Sequence, residues 1–364
     1  MSNPATVSER EQKILGIIET ARGKRAKFRD SHITMAHGAG GKATQTLIEG
    51  LFVPAFASAT LGAMADAGTV EIDGIELALT TDSYVVKPLR FPGGSIGELA
   101  VNGTVNDLAV SGARPLALSL SLVLEEGLSA EDLRAEVQAI ADTARAAGVE
   151  IIAGDTKVVE RGHADGMYVC TTGIGRRDPR ATLSPSALAP GDRILLSGSI
   201  GEHGTAIMLA RNEFELDASI ESDTCSLWPA VDALLDAVGP DLRCLRDATR
   251  GGVASVLNEL ARASSVAMIV REGDVPVHPA VAGAAEILGI DPMYVANEGK
   301  LVAFVAPESA EQALRALRNV NGCEQAAEIG EVRTTPSGRV VVQTSFGGRR
   351  VMDQLVGDPL PRIC

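Results

Sequence analysis

Aromatic residues make up only 3% of this 364-residue chain, so it has no base-stacking surface for single-stranded nucleic acid. Positive charge is also scarce. Against 47 aspartates and glutamates stand 33 lysines and arginines, a net charge of −14. No field is available to neutralise a phosphate backbone, which excludes sequence-independent nucleic-acid binding. A single nucleotide is not excluded, because backbone amides and a metal can hold its phosphates. The five cysteines, Cys170, Cys225, Cys244, Cys323 and Cys364, are scattered and form no Cys-x-x-Cys pair. That argues against a disulfide framework or a structural zinc site. No apolar run approaches about 18 residues and no signal peptide opens the chain, so the expected compartment is the cytoplasm.

What is present is a 45% hydrophobic chain long enough for two cores. Residues 1–32 read as a solvated extension in which Ile14, Leu15, Ile17 and Ile18 suit one short amphipathic helix. Residues 33–180 and 190–345 read as two α/β domains, and 346–364 as a tail ending in Cys364. Strands are expected at 76–81, 116–124, 149–153 and 167–172 in the first domain. Ser95 with Glu98 makes a capping box for a helix ending at Gly112. Ser129 caps a second helix that stops at Gly148. The prolines between Asp178 and Asp192 mark a linker. The second domain is expected to hold strands at 193–197, 266–271, 300–305 and 339–343, with helices at 204–212, 252–264, 279–288 and 308–318.

Four aspartates sit where strands or glycine turns are expected to end: Asp82, Asp107, Asp155 and Asp247. A hard cation such as Mg²⁺ takes oxygen ligands, some from protein and the rest from phosphates, and converging carboxylates meet that need. Each aspartate taken alone reads equally as a cap or turn residue. The turn Gly38-Ala39-Gly40-Gly41-Lys42 precedes a helix, as does Gly251-Gly252, and both suit backbone contact with anionic oxygens. The first is not a P-loop, since Gly38 lies only three residues before Gly41 and Ala43 follows Lys42. His37 and His203 have no partner at metal-ligand spacing and read as loop-shaping residues. Lys157 and Glu298 are candidate proton-handling groups, the latter in a turn before a buried strand. A lone thiol at Cys364, behind Pro359 and Pro361, is poorly placed for a core and well placed to be carried into another site. The same tail also reads as a frayed end.

The ordered set Ala36-His37-Gly38-Ala39-Gly40-Gly41, Thr81-Asp82-Ser83-Tyr84-Val85, Phe91-Pro92-Gly93-Gly94, Asn106-Asp107-Leu108-Ala109, Gly154-Asp155-Thr156-Lys157, Asp247-Ala248-Thr249-Arg250-Gly251-Gly252, Asn297-Glu298-Gly299-Lys300 and Pro361-Arg362-Ile363-Cys364 resembles the HypE family. These are the carbamoyl dehydratases of [NiFe]-hydrogenase maturation, within the PurM-like superfamily related to aminoimidazole ribonucleotide synthetase. The resemblance covers about 33–364. It implies a two-domain PurM-like α/β (α+β) fold, with N-terminal sheets paired in a homodimer. The implied reaction is ATP-dependent dehydration of an S-carbamoyl group on Cys364 to a thiocyanate, which supplies cyanide ligands for the hydrogenase iron. The carbamoyltransferase HypF would load the thiol, and the HypC–HypD complex would receive the cyano group. By the same resemblance Asp82, Asp107, Asp155 and Asp247 would hold Mg²⁺ and ATP, joined by His37, Gly38, Gly40, Gly41, Asn106 and Thr156. Cys364, Glu298 and Lys157 would be catalytic. Two other readings remain: a related ATP-dependent synthetase or kinase, and a non-catalytic thiol carrier that needs no aspartate set.

Overall fold

The structure, a computed structural model, describes residues 27–62, 64–211, 219–355, 357, 363 and 364. The helix expected around Ile14 and the proline-bearing stretch Asp358–Arg362 lie outside the described residues.

The first domain is a five-stranded sheet in the order β1-β2-β7-β5-β6. Its strands are β1 (Gly68–Ile72), β2 (Ile75–Tyr84), β5 (Ala113–Glu125), β6 (Glu150–Val159) and β7 (Met167–Arg177), with a small ribbon of β3 (Arg90–Phe91) and β4 (Gly94–Ser95) beside them. Only β5 and β6 run parallel. Alternation along β2 sends Ala78, Thr80 and Tyr84 inward and leaves Leu79, Thr81 and Ser83 outside. Helix α1 (Lys42–Leu47) follows the glycine turn, α2 (Ile96–Val110) follows β4, and α3 (Ala130–Ala147) follows β5. Ser129 accepts hydrogen bonds from the Glu131 and Asp132 amides, and Gly148 ends α3 in the left-handed conformation, as expected. The Ser95 box is half made. The Ser95 amide supports the Glu98 carboxylate, while the Ser95 hydroxyl bonds to nothing.

Nearly every residue of α2 is buried. A helix covered on one side would show a polar stripe. This one lies between the first sheet and the second domain, so its sequence is apolar or small all round.

The second domain is a seven-stranded sheet in the order β14-β13-β10-β12-β8-β11-β9. Its strands are β8 (Arg193–Leu196), β9 (Leu242–Asp247), β10 (Ala267–Arg271), β11 (Leu301–Val305), β12 (Ala327–Arg333), β13 (Arg339–Gln343) and β14 (Arg349–Met352). Its helices are α4 (Glu202–Ala210), α5 (Trp228–Val238), α6 (Gly252–Ala263), α7 (Pro279–Leu288) and α8 (Ala310–Arg318). Helices α5 and α8 bury one face of the sheet through Leu234, Leu235 and Leu317. Helix α6 buries the other through Val253, Leu257 and Leu260. Among the described residues no helix is long and apolar enough to cross a membrane.

Two boundaries shift. The stretch Gly154–Lys157, expected as a turn, continues β6, because pairing with β5 runs on from Gly154 to Val159. The tail expected from residue 346 starts later, since Arg349–Met352 pairs with β13 as an edge strand. Helix α5 and strands β1, β9 and β12 have no counterpart in the sequence reading. Helix α5 does carry a period, with Ala230, Val231, Leu234, Leu235 and Val238 facing the core and Asp236 outward, whereas short strands of mixed polarity lack one.

Candidate active site at the domain junction

Three carboxylates meet where the two domains touch. Asp66 precedes β1, Asp107 lies on the last turn of α2, and Asp247 ends β9. One oxygen from each falls within 4.8 Å of the others. The Thr80 hydroxyl donates to Asp107 at 2.7 Å, and Arg246 pairs with Asp66. Burial, then the neighbouring Asp247, Asp66 and Asp82, pushes Asp107 well above the usual carboxylate range. Burial and Asp66 likewise push Asp247 up to about 8, against the pull of Arg246. Hard oxygen donors packed this closely, with one arginine among them, fit a divalent cation that would relieve their repulsion.

Beside the cluster lies Glu298, 3% exposed. Its Oε1 has no hydrogen-bond partner. Burial, followed by Asp223, Asp247 and Asp82, raises its pKa far above an ordinary glutamate. Its backbone is pinned from two directions. Asp223 accepts from the amides of Glu298 and Gly299 at 3.0 and 3.2 Å and pairs with Lys300 at 3.3 Å. Asn106 donates to the carbonyls of Cys225 and Glu298 and accepts from the Leu227 amide.

The end of the chain comes to this same place. The Val85 amide donates to the Cys364 backbone oxygen at 2.9 Å, and His203 donates to the Ile363 carbonyl at 2.6 Å. Ile363 is buried among Phe91, Ile96, Leu99 and Val295. The Cys364 thiol lies against Arg250 and within electrostatic reach of Glu298 and Asp82. Arg250 also donates to the Gly38 carbonyl at 2.7 Å. Gly40, at φ +74°, packs on Arg250 so closely that a Cβ would sit 3.0 Å from it.

Burial pushes the Cys364 thiol up to about 12, more than Arg250 pulls it down. The docked thiol therefore keeps its proton, so docking is fully favourable below the ordinary value near 9 and weakens about tenfold per pH unit above it. A thiolate-absorbance titration, taken as the difference between wild type and Cys364→Ala, is expected to place the Cys364 transition above the ordinary thiol value. A transition at the ordinary value would contradict a docked neutral thiol.

The chain matches two adjoining family models, the N-terminal domain of AIR synthase related proteins over residues 64–177 and the C-terminal domain over 189–343. It is 46% identical over 341 residues to the carbamoyl dehydratase HypE of Bradyrhizobium diazoefficiens, covering 94% of this chain and 99% of that protein. The chain belongs to the HypE family of carbamoyl dehydratases. Two HypE crystal structures share its fold, each at 44% identity. One, of a HypE–HypF complex, has a TM-score of 0.81 over 85% of this chain and 99% of that one. The other, of HypE in complex with ATP, has a TM-score of 0.77 over 92% and 100%.

Set beside the residues expected from the HypE resemblance, the structure brings together Cys364, Glu298, Asp107, Asp247 and, at the edge, Asp82. It adds Asp66, Asp223 and Arg250, which the sequence reading did not single out as ligands or site residues. Asp66 had no local signal beyond a turn before a short strand. Asp155, Thr156 and Lys157 do not join them. Gly154 shares a rung with Asp82 across β5 and β7, and three inter-strand spacings put it about 14 Å away. Asp155 and Lys157 are exposed and paired with each other at 2.5 Å. His37 is engaged by Thr34 and by Asp30 at 2.9 Å, so it stiffens the loop and offers nothing to a ligand. Asn106 is a clasp between the domains, both its amide protons being taken by backbone carbonyls.

Proposed function

We propose that this chain dehydrates an S-carbamoyl group on its own Cys364 to a thiocyanate at the expense of ATP, as a maturation step for [NiFe] hydrogenases. The observation that carries the reading is the end of the chain docked at the domain junction, with the Cys364 thiol against Arg250 and within electrostatic reach of Glu298, together with a cluster of three carboxylates. A docked thiol held in its neutral form is a poor nucleophile. Loading with the carbamoyl group therefore takes place with the end of the chain undocked, and docking suits the neutral carbamoylated form. The partner for loading is a HypF-type carbamoyltransferase, since a HypE relative forms a complex with HypF. The HypC–HypD complex is the proposed acceptor of the cyano group.

In the balanced reaction the carbamoyl oxygen takes the γ-phosphoryl group of ATP and ADP leaves. The C–O bond then breaks with loss of phosphate, the nitrogen gives up two protons, and the C≡N bond completes the thiocyanate. An amide oxygen is otherwise too poor a leaving group. Glu298, with its free Oε1 and raised proton affinity, is placed to take a proton from that nitrogen. Arg250 orients the sulfur, and the Gly38–Gly41 turn, anchored on Arg250, lies over the same space. Asp66, Asp107 and Asp247 would hold Mg²⁺, with Asp82 alongside, and the ion would neutralise phosphate charge. ATP binding by a HypE relative supports the nucleotide assignment. Intact-mass spectrometry tests the reading. After carbamoylation, addition of ATP is expected to remove one water from the protein, and a constant mass would refute it.

The outer face of the first sheet exposes Val70, Ile72, Ile75 and Leu79, which share one side of β1 and β2, an apolar surface suited to a second copy of itself. We propose a homodimer paired through these sheets. Leu79→Asp is expected to shift sedimentation from dimer to monomer, and a wild-type monomer would rule the pairing out. All five cysteines are free, and we place the protein in the cytoplasm, which cell fractionation checks.

A further inference from the structure

We propose that His203 is a positioning residue for the dehydration, seating the loaded end of the chain through the Ile363 carbonyl and tying that seat to Glu298 through Ser222 and Asp223. The inference rests on the function proposed above and adds how one site holds its own tethered substrate.

His203 is wholly buried near the start of α4. A carbonyl only accepts hydrogen bonds, so Nε2 carries the imidazole proton and donates to Ile363 at 2.6 Å. Nδ1 then accepts from the Ser222 hydroxyl at 2.8 Å. The ring meets Phe91 of the first domain edge-on at 5.6 Å. Both ring nitrogens are therefore used, one on the end of the chain and one on a short strap, residues 221–227.

That strap fastens the other parts of the site in consecutive residues. The Ser222 amide donates to the Pro92 carbonyl at 2.8 Å, across the domain junction. The approach is so close that a Cβ on Gly93 would meet the Ser222 amide at 2.6 Å. Asp223 holds the Glu298 and Gly299 amides. Thr224 accepts from Asn102, and Cys225 and Leu227 bond to Asn106. One peptide unit separates the group that anchors the His203 ring from the group that anchors the Glu298 backbone. A shift of the seated end by the width of a hydrogen bond is thus passed to the base through three hydrogen bonds and the short side chains of His203, Ser222 and Asp223. The thiocarboxamide and its base are kept in one frame, which the second domain and α2 share.

Three variants of the full-length protein test this: His203→Ala, His203→Gln and Ser222→Ala. Iodoacetamide labelling of Cys364, read by peptide mapping without nucleotide, reports seating. Single-turnover water loss after carbamoylation reports positioning. His203→Ala is expected to speed labelling and slow water loss, each about tenfold, with transferase-dependent loading no slower than in wild type. His203→Gln keeps an N–H for the carbonyl and an oxygen for Ser222, and is expected to stay within about twofold of wild type. Ser222→Ala should move both rates in the direction of the alanine variant by a smaller factor. The proposal is overturned if His203→Ala leaves both rates at wild type. It is also overturned if His203→Gln fails as fully as alanine while melting at the wild-type temperature. Should His203→Ala not fold, unchanged labelling in Ser222→Ala overturns it as well. If wild type loses no water, the dehydratase reading fails instead, and labelling still decides whether His203 seats the chain end.

Discussion

Cys364→Ala is expected to abolish the ATP-dependent loss of water while leaving the nucleotide site intact. The carboxylates of Asp66, Asp107 and Asp247 belong to α2, β9 and the turn before β1, and none depends on the final residue for its place. ATP affinity should therefore stay within about twofold of wild type, since no charged contact to phosphate is removed. Water loss should fall below detection, more than about 10³-fold, because the reacting atom itself is gone. The other thiols are engaged elsewhere: Cys244 and Cys323 are buried, which pushes both thiols up, and Cys225 points at the Gly299 carbonyl. Cys170 sits on β7, away from the junction and facing Ser83 and Ser121 in register. Intact-mass spectrometry with carbamoyl phosphate, the transferase and ATP reads the result. Water loss that persists without Cys364 would move the chemistry elsewhere and leave the docked end without purpose. Retained nucleotide binding with no chemistry also separates the enzyme from a plain thiol carrier, which would have no use for the three clustered carboxylates.

The second large effect is expected from Asp107→Asn, and its sign differs between stability and activity. Asp107 faces Asp247, Asp66 and Asp82, and burial adds to their repulsion. A carboxyl whose folded pKa is raised contributes stability below its unfolded value, and that contribution is lost as pH rises. Asparagine keeps the shape, and its carbonyl still accepts from Thr80, but it never ionises. Without metal or nucleotide, Asp107→Asn should therefore be more stable than wild type at pH 8, by about 2–8 °C in melting temperature. The gain should shrink toward pH 5. Mg²⁺ and ATP reverse the order, since the wild-type cluster binds the cation and the variant has lost a ligand. Activity should fall by at least about 10²-fold. Calorimetry at the two pH values, with and without Mg²⁺–ATP, decides it. A variant less stable than wild type at pH 8, or one that keeps full dehydration, would show that these carboxylates are not a strained cation site.

Much of the fold was readable along the chain. Ser129 and Gly148 bound one helix through a cap and a left-handed stop, and both signals are local. The spacing of buried residues in 252–264 and 279–288 anticipated two more helices to within a residue. The spacing of Ala230, Val231, Leu234, Leu235 and Val238 carries the signal of α5 as well, whereas β12 is of mixed polarity and has no clean alternation. At the site, Asp107 and Asp247 were legible as aspartates at the ends of regular elements. Asp155 looked the same in sequence. Yet its strand pairs through Gly154 without turning, so its side chain stays on a distant edge of the sheet.

By itself the sequence determined the α/β class, the two domains, the glycine turn on which Arg250 rests, and the thiol available for loading. Each of these depends on residues close together in the chain, where capping, periodicity and the conformational freedom of glycine act over a few bonds. Only the tertiary structure decided which carboxylates form the cluster, that Asp66 completes it, that the buried Glu298 keeps its Oε1 without a hydrogen bond, and that His203 grips the chain end. Those facts depend on segments from distant parts of the chain being brought to one junction. The burial that raises the proton affinity of Asp107, Asp247 and Glu298 exists only once both domains have closed over them.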